Sequence, residues 1–511
     1  MNRWVKGGLA LTGTAIFIWS TSGQSILATA VAVAATGIWL FARWTSNPSP
    51  DKTRYGETLR GTQVSDKKSR RFKSANDQIS IGGIPIAREV EPQHLLAVGG
   101  PGTGKSVLVD AVLDTVRARG QRAVVYDPTG EFISHYYRPD HDAILSPIDK
   151  RSALWSPWSE GTDAYSYENL AAALIPDGQG ENQFWAQAGR AIFRAVLAST
   201  TDLPSLIDLV FAADQELLLA CLQAQGLAGL AGPTQMLASS RGEAAMYMQP
   251  LSYLPDPGAN PFSIRKWVAD ESKDSWLFVS SRADSHRSIR PLLSMWIGLA
   301  VQAAMSLPPS RDRRIWMALD ELPTLQKLPS LDLLLAGGRK YGIAAILGVQ
   351  SVAQVRDTYG RDAAAALLSH PSTRLTLRVG DSETATYLSQ SIGDRHTVRK
   401  VSSESTGGGG GSIGEQHAIE ASVLPSEILS LRNLTGYLRV ANDPVIKKIE
   451  LKPVDRPQIA EPYQDRPLSS PPPVPAPPLL PGAQAFPSRT AMTTPSLEDG
   501  PDGPDIDHGR V

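Results

Sequence analysis

An eight-residue run that fits the pattern GxxxxGK[ST] constrains the fold of this 511-residue chain more than any other feature. The run comprises Gly99, Gly100, Pro101, Gly102, Thr103, Gly104, Lys105 and Ser106. An apolar stretch, His94–Val98, precedes it and predicts a strand, whereas Val107–Arg119 has helical spacing and ends at Gly120. Glycines in such a loop allow backbone N–H groups to surround phosphate oxygens at a helix N-terminus. We therefore predict that ATP or GTP binds here, with Lys105 at the β- and γ-phosphates and Ser106 holding Mg²⁺.

The acidic partner of this loop is expected at the end of another apolar strand. The run Ile315–Asp320 predicts such a strand, with Asp320 at its end and Glu321 directly after it. We predict that Asp320 orients Mg²⁺ and its waters, and that Glu321 polarises the attacking water as a general base. Asp127 ends a third apolar run. It is either a further nucleotide contact or a turn-forming residue in the Asp127-Pro128 pair.

Two later residues suit a machine built from several subunits. Arg339 precedes the predicted strand Ile343–Val349, and Gln350 follows it. A guanidinium that reaches the γ-phosphate of a neighbouring subunit would stabilise transition-state charge, so catalysis would require assembly. The Gln350 amide could sense the same phosphate. The alternative for both residues is an ordinary surface or loop position.

Seven apolar runs alternate with helical patterns and predict an α/β fold with a buried, mostly parallel sheet. They are His94–Val98, Arg122–Asp127, Trp276–Ser280, Ile315–Asp320, Ile343–Val349, Arg374–Val379 and Gly436–Val440. Between residues 154 and 262 the sequence becomes rich in Ala, Leu and Gln with helical spacing, which predicts an all-α insertion. The predicted boundaries are 1–45 for a transmembrane hairpin, 46–85 for a basic juxtamembrane linker, 86–153 and 263–452 for the two parts of the nucleotide-binding domain, 154–262 for the insertion, and 453–511 for a disordered proline-rich tail.

The N-terminal prediction rests on 36 consecutive uncharged residues, Gly7 to Ala42, which a polar turn divides in two. Basic residues flank this stretch on both sides, which predicts that both ends lie inside the cell with a very short external loop. A cleaved signal peptide or a single span is the alternative. The tail prediction rests on composition, since proline-rich sequence forms neither helix nor central strand.

The amino-acid composition excludes two classes of protein. The chain has 50 Lys and Arg residues against 51 Asp and Glu residues, a net charge of -1. A globally basic nucleic-acid binder is therefore excluded, and any DNA contact must use segregated basic groups. A single cysteine excludes an internal disulfide framework.

Taken in order, the motifs resemble those of the type IV secretion coupling proteins, the TraD/TraG/TrwB-type ATPases of bacterial conjugation. The resemblance covers roughly residues 90–445. The residues that carry it are the loop Gly99–Ser106, the stretch Val125–Glu131, Phe184-Trp185 with Arg190, Leu319–Pro323, and most specifically Gly338–Ile343 leading to Gly348–Ser351. Thr129 departs from the family, which often has Lys at that position.

The resemblance implies a membrane-anchored, RecA-like P-loop ATPase that carries an all-α domain and assembles as a hexamer around a channel. Such a protein would use ATP and Mg²⁺ to move single-stranded DNA and would connect the relaxase–DNA complex to the type IV secretion channel. Arg339 would be the arginine supplied in trans, and Gln350 the sensor.

Two other functions stay open at this point. One is a receptor that recruits protein cargo to the secretion channel, with ATP hydrolysis as a gate. The other is a double-stranded DNA motor of the FtsK/HerA type, which the short two-helix anchor and the stretch Gly338–Ser351 disfavour. Strong stimulation of ATPase activity by single-stranded DNA would favour the conjugative motor.

Overall fold

A mixed β-sheet is the central feature of the computed structural model, which describes residues 52–53, 56–65, 77–178, 182–227, 229, 234–403 and 412–467. Among these residues, ten strands form the sheet. In spatial order, with numbers in chain order, they are β3 (Gln63–Ser65), β16 (Val445–Glu450), β15 (Thr435–Arg439), β12 (Thr373–Thr376), β6 (Leu95–Val98), β11 (Ile343–Val349), β10 (Ile315–Leu319), β7 (Arg122–Asp127), β9 (Trp276–Ser280) and β8 (Ala143–Leu145). The predicted apolar runs correspond to seven of these strands.

The seven neighbouring strands from β12 to β8 are all parallel, whereas β15 pairs antiparallel with both β12 and β16. The central strands are buried on both faces. In β10, Ile315, Met317 and Leu319 face one core, and Trp316 and Ala318 face the other. Burial on both faces explains why these strands are continuously apolar instead of alternating.

Because these strands are parallel, the loops that precede them lie at one edge of the sheet and the loops that follow them lie at the opposite edge. We call the edge where β6, β11, β10, β7, β9 and β8 end the carboxyl edge, and the edge where they begin the amino edge. Loops that follow these strands therefore share the carboxyl edge, including the loop after β6 and the acidic pair after β10. This arrangement is the usual site of ligand binding in open α/β sheets.

Helices cover the sheet and fill the region between β8 and β9. The described helices are α1 (Lys105–Ala118), α2 (Glu131–Tyr136), α3 (Ala164–Leu174), α4 (Asn182–Ser199), α5 (Leu203–Phe211), α6 (Gln215–Ala224), α7 (Thr234–Met248), α8 (Ile264–Ala269), α9 (His286–Met305), α10 (Pro329–Gly337), α11 (Val352–Tyr359), α12 (Arg361–Ser369), α13 (Ser382–Ile392) and α14 (Pro425–Leu429). Helices α3 to α7 lie within the stretch 154–262, and α3 packs on α9.

Two smaller sheets correct the predicted linker at 46–85. Strands β1 (Lys52–Thr53) and β2 (Gly56–Gly61) form a sheet with β13 (Asp394–Ser403) and β14 (Ser412–Ala421). Strands β4 (Ser80–Ile81) and β5 (Ile84–Pro85) form a hairpin whose isoleucines are buried in the core. Much of the predicted linker is therefore structured, because short apolar pairs such as Ile79 and Ile81 find a core that their local sequence does not reveal.

The predicted transmembrane hairpin at 1–45 lies outside the described residues. Within the described part of the chain, no helix combines the length and the apolar character needed to cross a bilayer.

The predicted disordered tail is also corrected at its start. Residues 453–466, which we call the strap, run along the carboxyl edge from α1 toward β8. Arg456 binds Asp110 and Asp114 on α1, with its Nη1 3.2 Å from an Asp110 oxygen and its Nη2 2.6 Å from an Asp114 oxygen. The backbone N–H groups of Ile459 and Arg466 donate to carbonyls of the nucleotide-binding domain. Proline-rich composition suggested disorder, but these long-range bonds fix the strap.

The Arg456–Asp110 pair yields a pH-dependent prediction. Burial raises the pKa of Asp110 to about 6, and Arg456 opposes that rise. Because the pKa is higher in the folded state than in the unfolded state, ionisation of Asp110 lowers the free energy of unfolding. This loss of stability is absent below about pH 4, where Asp110 is protonated in both states, and is complete above about pH 6. Arg456→Ala removes the compensating charge, and we expect a loss of roughly 3 kcal/mol at pH 8, as for a broken buried pair.

At pH 5 the loss should be clearly smaller, because Asp110 is then mostly protonated. Denaturant or thermal unfolding at both pH values measures the difference, with the exposed Lys452→Ala as the control that should change little. Equal losses at pH 5 and pH 8 would contradict the assigned role of Asp110.

Candidate nucleotide site

The loop Gly99–Ser106 joins β6 to α1 at the carboxyl edge. The Gly99 N–H donates to the Val349 carbonyl at 3.0 Å, which ties the loop to the neighbouring strand β11. Gly104 has a φ of 116°, a conformation that favours glycine. A Cβ on Gly104 would also press on the Leu434 and Leu451 side chains at 3.0 Å. Leu434, just before β15, and Leu451, just after β16, therefore pack against the loop and support it.

Lys105 begins α1 and folds over this loop. Its Nζ donates to the carbonyls of Gly99 at 2.9 Å and Gly100 at 3.3 Å. The same Nζ lies 3.9 Å from Oε2 of Glu321, and the lysine is buried. The ammonium group is thus held inside the loop, facing the acidic residues after β10, where it can meet phosphate oxygens.

Ser106 and Asp320 bring the two predicted magnesium ligands into contact. The Ser106 hydroxyl donates to Oδ2 of Asp320 at 2.7 Å. The Oδ1 atom of Asp320 is buried and has no hydrogen-bond partner among the described residues. Burial raises the pKa of Asp320, and the bond from Ser106 and the charge of Lys105 act against that rise. A hydroxyl and an unpartnered carboxylate oxygen are hard oxygen donors, so this pair fits Mg²⁺, which keeps several waters and takes further ligands from phosphate.

Glu321 and Gln350 also meet. The Gln350 amide Nε2 donates to Oε2 of Glu321 at 2.7 Å. Burial raises the pKa of the Glu321 carboxyl, while the Gln350 bond and the Lys105 charge lower it. The predicted base and the predicted sensor are therefore joined directly, a contact that neither sequence position indicates alone.

A supporting network behind Glu321 was not predicted. The Thr324 hydroxyl lies 2.6 Å from the Tyr126 hydroxyl and donates to the Glu321 carbonyl at 2.7 Å. His286, at the start of α9, lies with Nε2 3.0 Å from the Thr324 carbonyl oxygen. Tyr126, which follows three aliphatic residues in the run Arg122–Asp127, was the only indication in the sequence, because a buried tyrosine hydroxyl needs a hydrogen-bond partner.

Of the two interpretations of Asp127, its surroundings support the turn-forming residue, and a nucleotide contact stays a prediction. Its carboxylate is fully buried and accepts hydrogen bonds from the backbone N–H groups of Gly130 and Ile133, both at 2.8 Å. Burial raises the pKa of Asp127 to about 6, and these backbone donors act against the rise. Asp127 therefore shapes the turn into α2, which was the alternative interpretation of the Asp-Pro pair.

Arg339 is not part of the site of its own chain. It lies exposed with Lys340 on the short 3-10 turn Gly338–Tyr341, immediately before β11 and therefore at the amino edge. Gln350 follows the other end of the same strand. Seven extended residues separate the two edges, a span of roughly 20 Å. The predicted action of Arg339 on a neighbour remains a prediction.

A phosphate-binding loop, a serine–aspartate pair and a glutamate at the carboxyl edge of this sheet define a P-loop protein with the RecA-like ATPase fold. Residues 78–452 match the family described as type IV secretion-system coupling protein DNA-binding domain. The chain belongs to the type IV coupling protein family.

Similar proteins were found both by sequence and by structure. The chain is 32% identical over 447 residues to the coupling protein TraD of Escherichia coli (strain K12), covering 84% of this chain and 62% of TraD. It therefore spans about three fifths of that relative. The bacterial conjugative coupling protein TrwBdeltaN70 in its unbound monoclinic form has a TM-score of 0.74 at 30% identity, covering 82% of this chain and 99% of the solved chain. The plasmid coupling protein TrwB in complex with ADP and Mg²⁺ has a TM-score of 0.73 at 30% identity, covering 82% of this chain and 100% of the solved chain.

Gly348 offers a test of how β11 positions Asp320. A Cβ at Gly348 would overlap the Asp320 carbonyl oxygen, so Gly348→Ala must displace the residue that Ser106 contacts. We expect a stability loss of roughly 1–3 kcal/mol or more, as for overpacking, together with weaker binding of Mg²⁺–ATP. Gly380→Ala is the matched control, because a Cβ there meets open space. Unfolding midpoints and nucleotide titrations that match between the two variants would contradict the account.

Proposed function

We propose that this chain is a Mg²⁺-dependent ATPase that moves DNA and couples the relaxase–DNA complex to a type IV secretion channel in conjugation. The observation that carries the proposal is one connected cluster at the carboxyl edge. In it, Ser106 binds Asp320, Gln350 binds Glu321, and Lys105 lies between the phosphate-binding loop and Glu321. Membership of the coupling protein family supports the DNA-transfer part.

ATP and Mg²⁺ are the proposed cofactors. Solved structures of TrwB in complex with ADP and Mg²⁺ and with the non-hydrolysable ATP analogue ADPNP, at 30% and 29% identity, support this choice. Ser106 and Asp320 would hold Mg²⁺, and Lys105 with the loop N–H groups would bind the phosphates. When bound, Mg²⁺ neutralises charge on the phosphate oxygens and orients the leaving group.

Glu321 is the proposed general base. Its raised pKa brings the carboxylate closer to the pH at which it can accept a proton from water. In the chain alone, the Gln350 amide occupies one Glu321 oxygen. A γ-phosphate that attracts the Gln350 amide would release that oxygen toward the attacking water, so the amide would report the nucleotide state to the base.

Arg339 is proposed to complete the site of a neighbouring copy. A guanidinium is permanently charged and stabilises negative charge on the transferred phosphoryl group. Since Arg339 lies at the amino edge, it serves this purpose only in an assembly, which we propose to be a homo-hexamer around single-stranded DNA. We further propose that residues 1–45 anchor the assembly in the bacterial inner membrane.

The full-length chain should hydrolyse ATP, and single-stranded DNA should raise the rate several-fold. Lys105→Ala should lower turnover at least about 100-fold, because it removes a charge that acts on the phosphates. The exposed Lys273→Ala is the control and should keep wild-type turnover. Steady-state ATPase assays with and without single-stranded DNA measure both the stimulation by DNA and the effect of the substitution.

Absence of ATP binding and turnover would overturn the proposed ATPase. Turnover that depends on Lys105 but ignores DNA would contradict the DNA motor and favour a receptor for protein cargo.

A further inference from the structure

The strap carries an exposed face that the nucleotide chemistry does not use. Val454, Ile459 and Tyr463 are 59%, 52% and 39% exposed, which is unusual for three large apolar residues within ten positions. Three acidic residues of the same segment, Asp455, Glu461 and Asp465, are also exposed, and Asp465 pairs with Arg282. The strap therefore presents an apolar and acidic surface along the carboxyl edge.

The strap is fastened to the elements that hold the nucleotide site. Arg456 binds Asp110 on α1, the helix that begins with Lys105. Pro462 packs against Gly130, where an added Cβ would lie 2.8 Å from Pro462 atoms. The Arg151 Nη1 donates to the Glu461 carbonyl at 2.8 Å. A contact made on the strap thus acts on a segment bound to α1 and to the turn that Asp127 shapes.

The amino edge has the complementary character. Leu333 on α10 is 66% exposed, and Arg339 and Lys340 are exposed on the turn that follows α10. Arg311, in the loop before β10, is exposed as well. The Ser310 N–H donates to the Lys340 carbonyl at 3.1 Å, which joins the two loops into one surface. Asp312 and Asp332 are exposed on it too, so this edge is apolar and carries three basic against two acidic side chains.

We propose that the strap is the docking surface for the amino edge of a second copy of this chain. The inference rests on the proposed function, in which Arg339 of one copy completes the site of the next. Any approach that brings Arg339 to a neighbour's carboxyl edge also brings Leu333 and Lys340 there. The strap supplies the apolar and acidic partners for both.

A second copy explains the surface better than another class of partner. The two surfaces lie at opposite edges of one sheet, so each copy offers both halves of the contact. Such a contact is heterologous, and repeated copies can close into a ring. Opposite charges on the two surfaces favour this register and disfavour pairing of like edges.

Cross-linking tests the arrangement in the full-length chain, with Cys221→Ala as background. The double variant Leu333→Cys and Ile459→Cys, treated with a flexible bismaleimide, should give a ladder of linked chains. Each single variant alone should give no linked pair, and an equal mixture of the two should stop at dimers. The double variant Leu217→Cys and Ile459→Cys is the matched control, since Leu217 is 54% exposed on α6. It should give no ladder.

A linked pair from Ile459→Cys alone, or no ladder from the Leu333/Ile459 double variant, would overturn the proposal. So would a ladder from the Leu217 control that equals the test ladder. Capture of a different protein by Ile459→Cys, without a ladder, would also overturn it. Because the readout is linkage and not hydrolysis, DNA-stimulated turnover with no ladder would reject this surface while leaving the proposed function intact.

Charge reversal gives a second test that does not need new cysteines. Glu461→Lys and Lys340→Glu should each shift the oligomer toward monomer at low salt by several-fold in sedimentation, and the combined variant should recover assembly. Neither position is part of the nucleotide cluster. Failure of the combined variant to recover, when both single variants are impaired, would count against pairing of these edges.

Discussion

The shared direction of seven neighbouring strands is the constraint on which the rest of this structure depends. Because they are parallel, every loop that follows them lies at one edge and every loop that precedes them lies at the other. The phosphate-binding loop and Asp320 fall at the carboxyl edge, whereas Arg339 falls at the amino edge. On the proposed function, these two parts form one site only between neighbouring copies. The proposed dependence of hydrolysis on assembly would then be a consequence of the sheet topology.

At the carboxyl edge, hydrogen bonds already bring together groups that are far apart in sequence. Ser106 contacts Asp320 across 214 positions, and Gln350 contacts Glu321 from the next strand. Burial raises the pKa values of both acids, while Lys105 supplies the opposing charge. One ammonium group therefore faces two carboxyl groups in the chain alone, and on the proposed function a bound phosphate would draw Lys105 and Gln350 away from Glu321. That change of partners would offer a physical link between nucleotide state and the position of the base.

The parts of the fold that depend on neighbouring residues in the sequence were predicted. Continuous apolar runs marked the central strands, and the glycine pattern marked the loop before Lys105. Contacts between distant segments were missed. Proline-rich composition hid the strap, because its order comes from Arg456 reaching Asp110 on another element. The role of Asp127 stayed open for a related reason, since an acid at a strand end has the same local signal whether it faces a ligand or caps a turn. Only its complete burial distinguishes the two.

The most direct test of the account is complementation between two inactive variants. Arg339→Ala retains its own phosphate-binding cluster but lacks the guanidinium for a neighbour, whereas Asp320→Ala lacks the metal-binding carboxylate but keeps Arg339. Each alone should be nearly inactive in DNA-stimulated ATP hydrolysis. An equal mixture should regain a measurable fraction of wild-type turnover, because some interfaces pair an intact cluster with an intact arginine. A mixture no more active than its components, in samples that assemble normally, would contradict a site shared between copies.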